Sequence, residues 1–279
     1  MTYDVMGLSA LQYDPCRYDG SRLVFRGPAR CLDDPYAVFL GGTETYGRFI
    51  EKPFPALLEE ALGVTCVNLG IPNAGIDVFA TDPFVRSAAN RSRVTVLQVL
   101  GAQNLSNRFY TVHPRRNDRF VSASATLRAI YKGFDFTEIH FTGHMLRELH
   151  KVSSEQFELL RLELQNAWVA RMRLFIRNVP GKICLLWIGR RAPGENENLS
   201  SGPLDLTDPA FVTRSMMSAV MNERTELVEV VASPEAIAQG TEGMLFNNME
   251  SAAAKEMLGP AVHQQAAARL ETTLMRLLA

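Results

Sequence analysis

Apolar positions along the chain fall into two recurring patterns, short unbroken runs and longer stripes spaced by three or four. The runs are Ala37-Val38-Phe39-Leu40, Val64-Thr65-Cys66-Val67-Asn68-Leu69, Val94-Thr95-Val96-Leu97-Gln98-Val99-Leu100, Ile183-Cys184-Leu185-Leu186-Trp187-Ile188 and, more polar, Glu226 to Val231. Brief apolar runs closed by glycine or polar residues read as strands buried on both faces. The stripes predict helices. Leu57, Leu58, Ala61 and Leu62 mark one over 55–62, started by Pro53-Phe54-Pro55 and stopped by Gly63. A second is expected over about 76–89 and a third over 122–131. Phe157, Leu160, Leu164, Trp168, Met172 and Phe175 predict a long helix over 154–178, capped by Ser153 or Ser154 and ended by Pro180-Gly181. Met216 to Met221 suggests a short helix. Val262, Ala266, Leu270, Leu274 and Leu277 form the stripe of a terminal helix that starts at Pro260.

Strands that alternate with helices imply right-handed crossovers and a parallel sheet. The first three strands each end in a glycine-bearing turn, Gly41-Gly42-Thr43-Glu44-Thr45, Gly70-Ile71-Pro72-Asn73-Ala74-Gly75 and Gly101-Ala102-Gln103-Asn104. Those turns share one sheet edge, and ligands in such sheets bind beyond the carboxyl ends of the strands. Residues 1–35 read as an N-terminal arm or hairpin, with a short strand at 22–26. Residues 36–279 read as a single α/β domain carrying an insertion around 105–150, in which 134–141 alternates imperfectly. Residues 190–210 are a Gly-, Pro-, Asn- and Ser-rich loop, and 234–259 is a region of short helices and loops.

The chain has 279 residues, 47% hydrophobic and 21% charged, with a formal net charge of -1. A near-neutral balance without a basic stripe argues against a nucleic-acid partner. No apolar run reaches the ~20 residues of a membrane span, and the first residues lack the basic and apolar regions of a signal peptide. The expectation is a cytoplasmic protein with reduced cysteines. Cys66 and Cys184 lie in core runs, whereas Cys16 and Cys31 flank the N-terminal segment and are placed to pair.

Candidate chemistry gathers at the turns. Thr43 is either a reactive or ligand-contacting hydroxyl or the N-cap of the following turn. Glu44 is either a general base or an acid favoured by a helix dipole. Gly70 and Gly75 are turn glycines that also offer an amide, and Asn73 is a substrate-contact candidate between them. The polar stretch 104–120 adds Arg108, Arg115, Arg116 and Arg119 among aromatics and asparagines. Guanidinium forks suit phosphate, sulfate or carboxylate, and the alternative is a salt-bridged loop. His140 and His144 have a one-turn spacing, but no third ligand completes a metal motif, so no metal and no cofactor is expected. The long 154–178 helix would permit a homodimer.

Leu40 to Gly47 is similar to the first block of the SGNH/GDSL hydrolase superfamily, and the stretch from Pro53 to Leu62 resembles the helix that follows it. Asn68 to Gly75 looks like the second block, Gly101 to Asn104 like the third, and Gly259 to His263 with its Ala- and Leu-rich helix like the terminal segment. The chain also looks like a bacterial family, without an assigned function, that shares the Asn107-Arg108-Phe109-Tyr110 and His113-to-Phe120 stretches. The SGNH resemblance covers about 37–104 and, loosely, 255–279. It implies a three-layer α/β/α fold with a flavodoxin-like sheet of about five strands. It also implies an esterase, deacetylase or acyltransferase acting on an acylated, carbohydrate-like and anionic substrate. Thr43 would be the nucleophile, and the amides of Thr43 and Gly70 with Gln103 or Asn104 would hold the oxyanion. His263 would be the base, and Arg108, Arg115 and Arg116 would hold the anion. The chain departs from the family in four ways: Thr43 replaces serine, Gly42 replaces aspartate, Gln103 replaces asparagine, and there is no Asp-x-x-His. Met257 falls near the catalytic histidine position, and Glu256 or another acid would have to orient His263. The competing expectation is a relative without catalysis that binds an anionic saccharide or nucleotide-like ligand in the same cleft.

Overall fold

All five apolar runs become strands of one sheet: β1 (Tyr36–Leu40), β2 (Thr65–Asn68), β3 (Val94–Gln98), β6 (Lys182–Gly189) and β7 (Thr225–Val231). The computed structural model describes residues 11–194 and 204–279. Strand order is β2-β1-β3-β6-β7, and every neighbouring pair is parallel. This is the flavodoxin-like order, with a topological switch between β1 and β3.

Side chains alternate across the sheet, so consecutive strand residues enter different cores. Val38, Leu40, Val67, Leu97, Leu185 and Trp187 pack on one face with Trp168 and Phe157 of the long helix α7 (Ser154–Asn178). Ala37, Phe39, Val96, Cys184, Leu186 and Ile188 pack on the other with α2 (Phe54–Leu62) and α11 (Pro260–Leu278). Helices on both faces complete three α/β/α layers. An unbroken apolar strand needs such double cover, because each face buries every second residue.

The expected helix over 76–89 is two helices, α3 (Ile76–Thr81) and α4 (Pro83–Arg91). Pro83 cannot continue a helix, and Asp82 instead caps the second one by accepting from the Val85 N–H at 3.0 Å. The 105–150 region holds an antiparallel hairpin, β4 (Tyr110–His113) and β5 (Arg116–Ala123), followed by α5 (Ala125–Ile130) and α6 (Thr142–Val152). The 134–141 stretch forms no strand, only a single bridge between Arg119 and Phe141. His140 precedes α6, so it shares no helix face with His144. Among the described residues no group of three His, Cys, Asp or Glu could hold a metal ion. No helix of the described residues is long and apolar enough to cross a membrane.

Residues 11–35 lie as an arm without a regular strand. The expected strand at 22–26 reduces to a bridge between Cys16 and Phe25. Tyr18 stacks on Phe84 at 4.4 Å, and Arg26 donates to the carbonyls of Tyr46 and Gly47. Cys16 and Cys31 are free thiols rather than a pair. Downstream, α8 (Arg214–Val220) leads into β7. Between β7 and α11 run α9 (Pro234–Ala238), a 3-10 turn over Asn248–Glu250 and α10 (Ser251–Glu256). The 190–210 loop is described at 190–194 and 204–210, and its remainder lies outside the described residues.

Candidate functional site

β1 runs straight into Gly41 and Gly42, and the chain then coils into one helical turn, α1 (Thr43–Tyr46). Its close approach to β3 needs the first glycine, because a Cβ on Gly41 would lie 2.4 Å from Gln98 Oε1 and 2.7 Å from Gln98 Cβ. Gln98, the last residue of β3, is the buried pin of this turn. Its Oε1 accepts from Gly42 N (2.9 Å), Thr45 N (3.3 Å) and Thr45 Oγ1 (2.6 Å). Its Nε2 donates to Glu44 Oε2 at 2.7 Å. One amide side chain thereby fixes both the turn and the carboxylate that the turn presents.

Beyond the sheet edge lies a cleft of about 350 Å³, lined by Thr43, Glu44, Asn73, Arg147, Arg190, Asp205, Asp208 and Glu256 among others. Asp208 comes from the loop before α8. Gln103 holds it, donating from Nε2 to Asp208 Oδ1 at 2.7 Å, while Gln103 Oε1 is buried without a donor. Burial raises the Glu44 carboxyl above its ordinary range, and the charge of Asp208 raises it further, against the hydrogen bond from Gln98. Asp208 is raised as well, by its position deep among protein atoms, although its side chain remains open to the cleft. The cleft therefore holds two carboxyl groups whose affinity for protons is raised.

Thr43 does not cap α1; Gly42 stands at that position. Its hydroxyl interlocks with Asn73 instead, donating to Oδ1 at 3.3 Å and accepting from the Asn73 N–H at 3.1 Å. Asn104 buttresses this contact. Its Nδ2 donates to the Asn73 carbonyl at 3.1 Å and its Oδ1 accepts from Thr142 Oγ1 at 2.7 Å, so both ends of the amide are engaged within the fold. The Gly70 N–H is likewise engaged, with Asn68 Oδ1 at 2.9 Å. A Cβ there would strike the Tyr46 nitrogen at 2.4 Å, so close packing of two backbones, rather than an oxyanion, requires the glycine.

His263 is not brought to Thr43. It sits on the first turn of α11 in the core under the opposite sheet face, 1% exposed, stacked on Phe54. Its Nδ1 accepts from the Phe54 N–H at 3.2 Å. Burial pushes it down to about 3, so it is a neutral core residue. The chain has five histidines, and none lines the cleft. Helix amphipathicity explains the difference: His263 adjoins the buried stripe of Val262 and Ala266.

The arginines expected at the site lie elsewhere. Arg108 is paired with buried Glu163, at 2.7 Å from Nε to Oε2. Arg115 borders a separate cavity, and Arg116 is an exposed residue at the start of β5. Arg147 of α6 and Arg190 beyond β6 supply the positive charge at the cleft. Local pattern gave no sign of Asp208, Arg147 or Arg190. Gln98 was legible in principle, as a polar residue ending an otherwise apolar strand.

The architecture defines the molecule as a three-layer α/β/α protein with a cleft at the carboxyl edge of a flavodoxin-like parallel sheet. The chain belongs to the family DUF6473, a domain of unknown function, which it matches over residues 1–278. No curated protein matches the chain. Among solved structures it is similar to a lipase from a goat rumen metagenome, at 9% identity and TM-score 0.40 over 85% of this chain and 97% of that one. A catalytic mutant of an acetylxylan esterase from Geobacillus stearothermophilus shows 12% identity and TM-score 0.40 over 88% and 94%. A protein described as a GDSL-like lipase from Parabacteroides merdae shows 12% identity and TM-score 0.36 over 84% and 96%. The fold statement rests on strand order and layering, not on these distant likenesses.

Proposed function

We propose that this protein hydrolyses an acylated, hydroxyl-rich substrate, with the carboxylates Glu44 and Asp208 in place of a histidine base. The observation that carries this reading is the pair itself: both acids face one cleft, and the charge of Asp208 raises Glu44. A carboxyl lifted toward the working pH is an effective general base. The Thr43 hydroxyl already donates to Asn73 Oδ1 and accepts from the Asn73 N–H, so water is the better nucleophile. Glu44 removes a proton from water, and the hydroxide forms a bond to the acyl carbon. The tetrahedral intermediate collapses, the ester C–O bond breaks, and Glu44, its proton affinity raised by the charge of Asp208, returns the proton taken from water to the leaving alcohol. Asn73 and Arg190 stand in the same cleft as donors to the developing oxyanion. Thr43 and Thr207, with the acids, suit the hydroxyls of a saccharide. An acceptor hydroxyl in place of water would make the same site an acyltransferase. An anionic substituent would meet Arg147 and Arg190 rather than Arg108, Arg115 or Arg116.

The test is hydrolysis of acetylated oligosaccharides and a short-chain nitrophenyl acetate by wild type and Glu44→Gln, Asp208→Asn and Thr43→Ala. Loss of general-base action predicts a fall of ~10²-fold or more in Glu44→Gln, with a smaller fall for Thr43→Ala. Turnover in Glu44→Gln equal to wild type removes the mechanism. A second reading, ligand binding without catalysis, is favoured by one specific observation: the Thr43 hydroxyl and the Gly70 amide are both already bonded within the fold. Saturable binding of unacylated saccharides, with no turnover of any acylated one, selects that reading.

A further inference from the structure

A second cavity, of about 710 Å³, lies between the N-terminal arm, the α3–α4 junction and the tip of the β4–β5 hairpin. It shares no lining residue with the cleft. Its volume falls in the range of small-molecule sites, about 300–1,000 Å³. Three side chains from two separate elements bring nitrogen groups to it: Arg22 from the arm, and His113 and Arg115 from the hairpin.

Among the described residues neither the Arg22 nor the Arg115 guanidinium has a carboxylate partner. This sets them apart from Arg30 with Glu59 and Arg108 with Glu163. The one acid of the cavity, Asp82, is already committed. Its Oδ1 accepts from Val85 N at 3.0 Å, and its Oδ2 accepts from Ser21 Oγ at 2.8 Å and Arg22 N at 3.2 Å. His113 Nδ1 accepts from the Arg115 N–H at 3.2 Å, which leaves Nε2 as the protonated nitrogen of the neutral ring and thus a donor. Leu23 and Val78 add apolar wall beside these donors.

We infer that this cavity binds a phosphate monoester, the phosphate between Arg22 and Arg115 with His113 as a further donor, and the organic body against Leu23 and Val78. Two guanidinium forks offer paired N–H donors that match phosphate oxygens, and a dianion draws more from two cations than a monoanion does. The assignment does not depend on the chemistry of the cleft.

The experiment is calorimetric titration of the full chain with phenyl phosphate, inorganic phosphate and benzoate at constant ionic strength. Variants are Arg22→Gln and Arg115→Gln, with Arg93→Gln as a surface control and Arg190→Gln as a probe of the cleft. Both cavity arginines are exposed, and the Arg22 contact to Asp82 comes from its backbone, so the variants keep the fold's contacts. The expected result is saturable one-to-one binding of phenyl phosphate, tighter than inorganic phosphate. Each cavity variant weakens it at least ~10-fold, as loss of a charge-assisted contact predicts, and the other two variants leave it unchanged. Absence of saturable binding, or binding unchanged in both cavity variants, overturns the site. Loss of binding in Arg190→Gln assigns the anion to the cleft and likewise overturns it. Benzoate as tight as phenyl phosphate overturns the phosphate assignment.

Discussion

His263 offers a direct measure of whether this residue belongs to the core or to the chemistry. Folded, it titrates at about 3, against 6.5 as its ordinary value. The unfolded chain therefore takes up a proton first as pH falls. The stability tied to a neutral His263 is complete above about pH 6.5 and is lost progressively toward pH 3. The full shift corresponds to about 5 kcal/mol at ~1.4 kcal/mol per unit, of which about 2 kcal/mol is lost by pH 5. Glu44 and Asp208 act with the opposite sign: their folded values are raised, so their contribution is present at low pH and falls as pH rises. Comparing wild type with His263→Asn cancels those two groups, since both proteins carry them. An asparagine Oδ1 stands near the position of Nδ1 and keeps an acceptor for the Phe54 N–H. Urea denaturation followed by fluorescence of the buried Trp168 and Trp187 gives the two stabilities at pH 8 and pH 5. The variant should lose about 2 kcal/mol less than wild type over that interval. Equal losses would refute the buried neutral state, and a variant that folds normally but loses cleft activity would restore His263 to the mechanism.

Other substitutions probe the frame of the cleft. Gln98→Leu strips an acceptor from Gly42 N, Thr45 N and Thr45 Oγ1. At ~1–3 kcal/mol per buried unsatisfied group, the urea midpoint should drop steeply, and a change under ~1 kcal/mol contradicts the pin. Gly75→Ala places a Cβ 1.6 Å from the Asn104 carbonyl oxygen, a main-chain atom, and should abolish folded expression or cost more than ~3 kcal/mol. If Glu44 is the base, kcat/KM for an acyl ester should rise with pH through a value above the usual glutamate range, and a flat profile between pH 4 and 8 argues against it. Burial pushes the Cys66 and Cys184 thiols up to about 12, while Cys31 is exposed. A native thiol titration should find Cys31 fast and those two silent until urea is added; rapid labelling of either in the native protein would contradict their burial.

The strands were readable because a doubly covered parallel strand leaves a continuous apolar run, and β1, β2, β3 and β6 each carry one. The turn after β1 was readable for the same reason: the run stops at two glycines followed by Thr43 and Glu44. Pro83 escaped the helix period yet divided the helix, since a missing N–H outweighs a favourable stripe. The hairpin at Tyr110–Ala123 is not legible, because β4 alternates over only four residues and the residues of β5 are mostly polar and half-exposed with no clear alternation.

What the amino-acid order determined alone was the five strands of the main sheet, the long helices that cover them, the parallel pairing and the sheet edge at which Thr43, Glu44 and Asn73 converge. These follow from local periodicity and from the handedness of crossovers. Which acid faces Glu44 was decided by tertiary structure: Asp208 meets Gln103 across 105 positions, a distance no local pattern spans. The same holds for the fate of His263, which burial beneath the sheet made a core residue, and for Arg108, which Glu163 claimed from 55 positions away. A side chain's chemistry is written in its identity, but its protonation and its partners depend on the dielectric and the neighbours that only the folded chain brings to it.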